Sequence, residues 1–346
     1  MYPILLIVPH VRLIGGRYNV QITIPEDSRH KGSELASSQQ RARILLKREV
    51  LDFFGKDYVF DGVSLLWSPN LLFPEGESRI VRVAMETRRD GKPNDMEITL
   101  AQQGRLPMGG LAKYMIDGRI ELDPAGNTSL ENHIKWLQAV FRKDPASRLV
   151  TRPNSNAYFD RSPQTTMALR STAGVLEARR GVFQTMQIRF GVLTMNVDTA
   201  TTPFWVPNTC LVTFAAALMG VQLPRLLEAY RSSPAKFRLQ GAKMNGIYFT
   251  VKHLGDKGSA SKLKMQSFSN ANANDTTFEE KSEDGATRTT SVAAYFDRKY
   301  NIRLQYPQLP MAKTTKGEFP LELCYSAEGE RYKELLQGSE TADFIK

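Results

Sequence analysis

Cysteine is nearly absent from this chain: Cys210 and Cys324 are the only two in 346 residues. So separated a pair makes neither a metal-ligand motif nor a disulfide framework, which predicts a reducing compartment and a cytoplasmic protein. Histidine is almost as scarce, with four scattered residues, His10, His30, His133 and His253. No Walker A loop, Gly-x-Ser-x-Gly elbow or His-Glu-x-x-His motif occurs, which excludes the common nucleotide-hydrolysing, serine-hydrolase and zinc-protease arrangements. No apolar run reaches the ~18 residues of a membrane span. Met1–Val8 is apolar but lacks a basic n-region and a cleavage site, and so reads as a strand rather than a leader. What the chain does have is positive charge. Lysine and arginine number 46 against 36 acidic residues, for a net charge of +10. Such an excess favours a polyanionic partner or an anionic surface. At 41% hydrophobic and 24% charged the chain reads as soluble and globular, and its length allows two or three domains.

Periodicity organises the first two-thirds into small mixed units. Tyr18, Val20, Ile22 and Ile24 alternate in a strand over Arg12–Ile24 that Pro25 stops. Ser38–Phe54 has helical spacing. Strands follow at Val63–Trp67, Arg79–Thr87 and Asp95–Ala101, the last two joined by a hairpin loop at Arg88–Gly91. A second unit starts near Arg105. Gly109–Asp117 reads as a short helix and Thr128–Arg142 as a longer one, with Leu130, Ile134, Leu137 and Phe141 on one face and Lys143-Asp144-Pro145 ending it. His133 and Trp136 read as lying off that face, His133 at the surface and Trp136 as a flanking contact. Tyr158-Phe159 suggests a buried anchor. Val182–Phe190 and Val192–Val197 read as strands turning at Gly191, with Arg179, Arg180 and Arg189 as surface charge. The last third adds helices at Asn208–Met219, capped by Asn208, and at Leu223–Arg231. Strands follow at Lys243–His253 and Lys262–Phe268, then a polar Asn-rich loop holding Phe278 and an acidic, exposed run, Glu279–Thr290. The carboxylates Glu279, Glu280, Glu283 and Asp284 have no His or Cys beside them, so no metal site is expected, and no catalytic residue or cofactor is assigned.

Tyr295–Glu322 is the most informative stretch. It opens with a short helix that Ser291 can cap, placing Tyr295, Phe296, Lys299 and Tyr300 within one turn of each other. Ile302, Leu304 and Tyr306 then alternate as in a strand, Pro307 and Pro310 end it, and Phe319–Leu323 returns as a second one. Phenol hydroxyls and ammonium groups hold phosphate, while aromatic faces hold a base or sugar.

The order Tyr-Phe-x-x-Lys-Tyr-Asn-Ile-x-Leu-x-Tyr-Pro-x-Leu-Pro, then Pro-Leu-Glu-Leu-Cys, closely resembles the PAZ domain of eukaryotic Argonaute proteins. Phe60-Asp61-Gly62 ahead of Leu65–Pro69 looks like the Argonaute N domain. Gly181-Val-Phe-Gln-Thr-Met, with Leu193-Thr-Met-Asn-Val-Asp-Thr-Ala-Thr-Thr-Pro-Phe after it, is similar to the linker leading into PAZ. The resemblance implies a multidomain α+β chain: an N-like domain over 1–104, linker 1 over 105–202, PAZ over 203–323 and the start of linker 2 over 324–346. It also implies that PAZ is an OB-like β-barrel carrying an inserted hairpin-helix module. Mid and Piwi domains, which in the family hold the guide 5′ end and the cleavage site, would follow Lys346.

The implied function is non-catalytic binding of the 3′ end of a small guide RNA in RNA silencing, with silencing-complex proteins as further partners and no membrane. The implied site takes Tyr295 and Tyr300 as hydroxyl donors to the terminal phosphodiester, Lys299 as its charge partner, His253 as the histidine that also reaches that phosphate, Phe278 against the terminal sugar or base, and Leu321 as an aliphatic floor. Where the family usually has an Arg and a Tyr on the module's hairpin strand, this chain has Ser261-Lys262-Leu263-Lys264. Lys262 or Lys264 can replace the charge, but Leu263 cannot donate a hydroxyl. The alternatives are one part of a slicing endonuclease completed beyond Lys346, a short interaction form, and a Dicer-type PAZ protein.

Overall fold

A computed structural model describes residues 15–23, 58–61, 63–68, 73–74, 76–84, 95–106, 129–151, 155–189, 192–255, 262–281, 287–336 and 338–345. The helices expected at Ser38–Phe54 and Gly109–Asp117, the Arg88–Gly91 loop and the Gly191 turn lie outside the described residues. Two compact units are present: Met1–Phe159 with Gly181–Ala200, and Asp160–Arg180 with Thr201–Lys346.

The first unit holds an antiparallel sheet of β1 (Gly15–Thr23), β2 (Val59–Phe60), β3 (Leu65–Ser68), β4 (Ser78–Ala84) and β5 (Asp95–Leu106), in the order β2-β3-β1-β5-β4. Asp61 fixes the turn into β3, its Oδ1 accepting from the backbone N–H groups of Val63, Ser64 and Leu65 at 2.7–3.0 Å. Helix α1 (Ser129–Arg148) packs Ala139 and Trp136 against Trp67, so Trp136 is the flanking contact expected of it. Leu137 meets Met186, with Leu130, Phe141 and Met195 around them.

Two expectations about α1 are corrected. His133 is fully buried rather than exposed. It lies three residues after Leu130 and four before Leu137, so it shares their face. The helix also runs through Pro145 to Arg148 instead of ending at Lys143-Asp144-Pro145. Proline cannot donate to the carbonyl four residues back. Here that carbonyl, Phe141 O, accepts from Gln184 Nε2 at 3.1 Å. Beyond the proline the ladder resumes, with Leu149 N–H donating to Pro145 O at 2.8 Å.

Two long strands, β8 (Leu176–Arg189) and β9 (Val192–Trp205), pair with each other and extend well beyond the expected Val182–Phe190 and Val192–Val197. β6 (Ala157–Phe159) and β7 (Thr166–Ala168) pair with successive parts of β8. Tyr158 and Phe159 are buried, as expected of an anchor. Gly181 opposes Phe159, and a Cβ there would lie 2.1 Å from the Tyr158 carbonyl oxygen, so only glycine fits. Arg179 is not surface charge. It is buried, pairs with Glu177 at 2.6 Å, and stacks on Phe204 at 5.3 Å. In that enclosed place the carboxylate and the ring replace water around the guanidinium.

The second unit is built around helix α2 (Leu211–Met219). At its centre Phe214 stacks on Trp205 with centroids 4.6 Å apart, and Tyr332 meets Trp205 edge-on at 5.2 Å. Asn208 does not cap this helix. It sits at φ 53° in a turn, its N–H donating to Ser326 O, and Cys210 occupies the cap position without a side-chain bond. The expected second helix is a 3₁₀ turn (Leu223–Arg225) running into α3 (Leu226–Ser232), and α4 (Pro234–Gly241) follows it unforeseen, its Phe237 buried. Among the described residues no single helix is long and apolar enough to cross a membrane; α2 and the Leu223–Ser232 segment are bent by 80° to each other.

Two three-stranded sheets cover the same core. One is β11 (Leu263–Lys264), β10 (Tyr248–Val251) and β17 (Cys324–Ser326); the other is β12 (Ser267–Asn272), β15 (Pro310–Thr314) and β16 (Gly317–Phe319). The single strand expected at Lys262–Phe268 is therefore two strands in different sheets. The run Glu279–Thr290 is a hairpin instead of a loop, β13 (Thr277–Lys281) on β14 (Thr287–Ser291), and Phe278 lies within it. Residues 302–306 form no strand. The Glu322 carboxylate takes the N–H groups of Gln305 and Tyr306 at 2.7 and 2.9 Å, where a ladder partner would have stood. Burial raises the Glu322 pKa above the ordinary carboxylate value, and those two hydrogen bonds pull the other way.

Candidate functional site

Helix α5 (Val292–Tyr300) follows the hairpin directly. Ser291 caps it as expected, Oγ accepting from Ala294 N–H at 3.2 Å, and Asn301 ends it at φ 53°. One face carries Val292, Phe296 and Tyr300, spaced by four, with Tyr295 and Lys299 beside them. That face closes a small second core of Ala273, Val292, Phe296, Met311 and Leu323, against which Tyr295, Tyr300, Ile302 and Leu304 pack.

The rings on this face form a continuous cluster. Phe278 meets Tyr295 edge-on at 5.2 Å, Tyr295 meets Tyr300 at 5.8 Å, and Tyr300 tilts against Phe296 at 5.5 Å. His253, in the 3₁₀ turn after β10 (Lys252–Leu254), completes it edge-on to Phe296 at 4.9 Å and Tyr300 at 5.0 Å. Lys299 Nζ hangs over Tyr295 at 4.9 Å and Tyr300 at 5.9 Å. A side-chain hydrogen bond with Tyr295 raises the Lys299 pKa first, the charges of Tyr295, Tyr300 and Glu280 add to it, and slight burial opposes them. Two phenols, one ammonium, one imidazole and a partly exposed phenyl ring are thus brought within one cluster, the donor and stacking set that suits a nucleic-acid phosphate and its sugar or base.

His253 is half-buried, and burial lowers its pKa below the ordinary histidine value. Its Nδ1 is enclosed, with no hydrogen-bond partner among the described residues. The folded state therefore disfavours the imidazolium, and the stability this confers is present above the unfolded pKa of ~6.5 and lost as pH falls through the folded value. Thermal unfolding of the RNA-free chain should accordingly drop between pH 7 and pH 5, and His253→Gln should flatten that part of the profile. An unchanged profile in the variant would assign the acid sensitivity elsewhere.

Three of the residues expected at the site lie in other surroundings. Leu321 is buried in the main core, in the 3₁₀ turn Leu321–Leu323, with Leu309, Ala312 and Cys324; Leu323 is the aliphatic residue that packs with the ring cluster. Leu263 is core as well, on β11 opposite Phe249, and does not lie on the hairpin. Lys262 and Lys264 flank it with exposed side chains, and Lys264 Nζ lies over Tyr248 at 5.9 Å. The strand whose side chains meet α5 is β13, so Leu263, on β11, lies outside the hairpin. Phe296 and Leu323 were not singled out as site residues. The spacing of four between Phe296 and Tyr300 was the available signal for the first.

The PAZ domain model matches residues 226–345, and the Argonaute linker 1 domain model matches 154–206, so the second unit is that of a PAZ-bearing chain. The chain is 25% identical to "Protein argonaute" of Schizosaccharomyces pombe over 324 residues, covering 91% of itself and 36% of that protein. It is 24% identical to "Protein argonaute 14" of Oryza sativa over 341 residues, covering 95% and 29%. The fold matches the crystal structure of Kluyveromyces polysporus Argonaute with a guide RNA at a TM-score of 0.52 and 13% identity, over 95% of this chain and 36% of that one. This chain belongs to the Argonaute family. It spans about a third of the length of the curated relatives it matches.

Proposed function

We propose that this chain binds small RNA in RNA silencing and that its ring cluster anchors the 3′ end of a guide. The observation that carries this reading is the convergence of Phe278, Tyr295, Lys299, Tyr300 and His253, drawn from a hairpin, a helix and a turn, on one face of one unit. The tyrosine hydroxyls and Lys299 would hold the terminal phosphodiester. His253, with Nδ1 enclosed, would use Nε2, and Phe278 would pack on the terminal sugar or base. Stacking is worth ~1–3 kcal/mol per base without reading sequence, which suits a site that must accept any guide. The two three-stranded sheets with α2 form an OB-like barrel in this reading, and β13, β14 and α5 form the module inserted in it. The partition into an N-like domain (1–104), linker 1 (105–202), PAZ (203–323) and the start of linker 2 (324–346) belongs to the same proposal, as does a cytoplasmic site of action beside other silencing proteins.

The chain's own part is binding. Slicing, if the whole protein performs it, belongs to the Piwi region of the family. The test is direct titration. Duplex RNA with a two-nucleotide 3′ overhang should bind this chain at least about a hundredfold more tightly than the same duplex with blunt ends, in line with two hydrogen bonds to a charged phosphodiester at about 1.5–3 kcal/mol each. Equal affinities would reject the reading.

A further inference from the structure

The ring cluster spans two elements, and its Phe278 edge depends on how the β13–β14 hairpin lies against α5. At its base the hairpin is tied by backbone bonds, Val292 N–H to Thr276 O at 3.0 Å and Ala293 N–H to Ala273 O at 2.9 Å. Further along β13, two side-chain contacts join it to the helix. One is Phe278 on Tyr295; the other is an ion pair between Glu280 and Arg298. Their spacing matches. Phe278 and Glu280 are two apart and share one face of the strand, while Tyr295 and Arg298 are three apart and share one face of the helix. The pairs therefore sit side by side along one seam, the ion pair one step beyond the rings.

We propose that Glu280 and Arg298 are a positioning pair, a latch that holds the hairpin against α5, fixes the gap between Phe278 and Tyr295, and so sets how long a 3′ end stays bound. This rests on the proposed function above. Stability is a poor explanation for the pair, because its side chains are partly exposed, 41% for Arg298 and 24% for Glu280, and such pairs contribute little to folding. Position is a better one. Glu280 also lies close enough to Lys299 to act on that ammonium. Engaged by Arg298, its carboxylate is balanced; released, it competes with a phosphate for Lys299. Opening the latch should thus weaken the site twice, by loosening the Phe278 wall and by freeing a negative charge. Arg288, directly opposite Glu280 in the hairpin, cannot replace Arg298 as a latch, because it belongs to the element that must be held.

The test uses the full chain, overhang and blunt RNA duplexes, and four variants: Arg298→Glu, Glu280→Arg, the double charge swap, and Arg298→Lys. Release of the overhang duplex should be about three- to tenfold faster in Arg298→Glu, which loosens the wall and frees the Glu280 carboxylate, about threefold faster in Glu280→Arg, which loosens the wall alone, and within about twofold of wild type in the swap and in Arg298→Lys. Unfolding midpoints should stay at the wild-type value, and hydrogen exchange without RNA should quicken over 277–281 and 287–291 in the single reversals but not over 211–219. The two readings fail separately. A wild-type chain with no overhang preference would overturn the proposed function, whatever the exchange data show. With that preference present, single reversals that release RNA at the wild-type rate, or a swap that does not restore it, would overturn the latch.

Discussion

Replacing Tyr295 and Tyr300 together by phenylalanine should lower affinity for a 3′-overhang duplex about a hundredfold and leave blunt-duplex binding nearly unchanged. The size follows from chemistry. Hydrogen bonds to a charged acceptor contribute about 1.5–3 kcal/mol each, and two at the low end of that range make about two decades. Phenylalanine keeps the edge-on contacts with Phe278 and the tilted contact with Phe296, so stacking and packing persist while the donors vanish. Tyr295 also gives up its bond with Lys299, which would return that ammonium toward its ordinary range, still fully charged at neutral pH. Salt-dependent titrations of wild type and the double variant provide the check. The donor role predicts a lost overhang preference with a similar salt slope, because Lys299 remains; an unaltered preference would leave the hydroxyls without a part in binding.

The second large effect is on folding. Phe296→Ala should destabilise the second unit by about 3–5 kcal/mol, the usual cost of deleting a buried phenyl ring. Phe296 is 6% exposed and touches His253, Tyr295 and Tyr300, so no neighbouring element can collapse onto the space without moving a ring of the site. Phe296→Leu should cost far less, about 1–1.5 kcal/mol, and separates volume from aromaticity. Denaturant unfolding followed by tyrosine fluorescence measures both. A loss below about 1 kcal/mol for the alanine variant would show that the ring cluster is held from outside, by the hairpin and Leu323, rather than by its own centre.

Much of the site was legible because it is local. The Ser291 cap, the four-residue spacing of the helix face and the Tyr-Phe-x-x-Lys-Tyr order all lie within ten residues, where spacing and geometry are nearly the same statement. The misreadings come from longer range or from polarity. Ile302, Leu304 and Tyr306 alternate like a strand, yet Glu322 supplies the backbone partner from sixteen residues on, and nothing in the alternation reveals that. Apart from Phe278 the hairpin Thr277–Lys281 and Thr287–Ser291 is polar, so it offers no period-two signal, although it forms the outer wall of the site. Leu263 illustrates the reverse case. Between two lysines it reads as a substituted ligand position, whereas its burial on β11 makes it core. Arg179 and Pro145 were misjudged for one shared reason. The groups that accommodate them, Phe204 on β9 and Gln184 on β8, stand 25 and 39 residues away.

The composition of the second unit's core bears on how this chain can be dissected. Leu169, Val175, Leu176 and Ala178 pack in one cluster with Trp205 and Phe214, and Val206 N–H donates to Val175 O at 3.0 Å. A recombinant piece opened at residue 203, where the motif reading starts PAZ, would bare that side of the core and leave the Val206 amide without its acceptor. Exposed apolar surface of that kind invites self-association. Excision should begin no later than Asp160, so that the strand segment ahead of the domain travels with it as its missing plank.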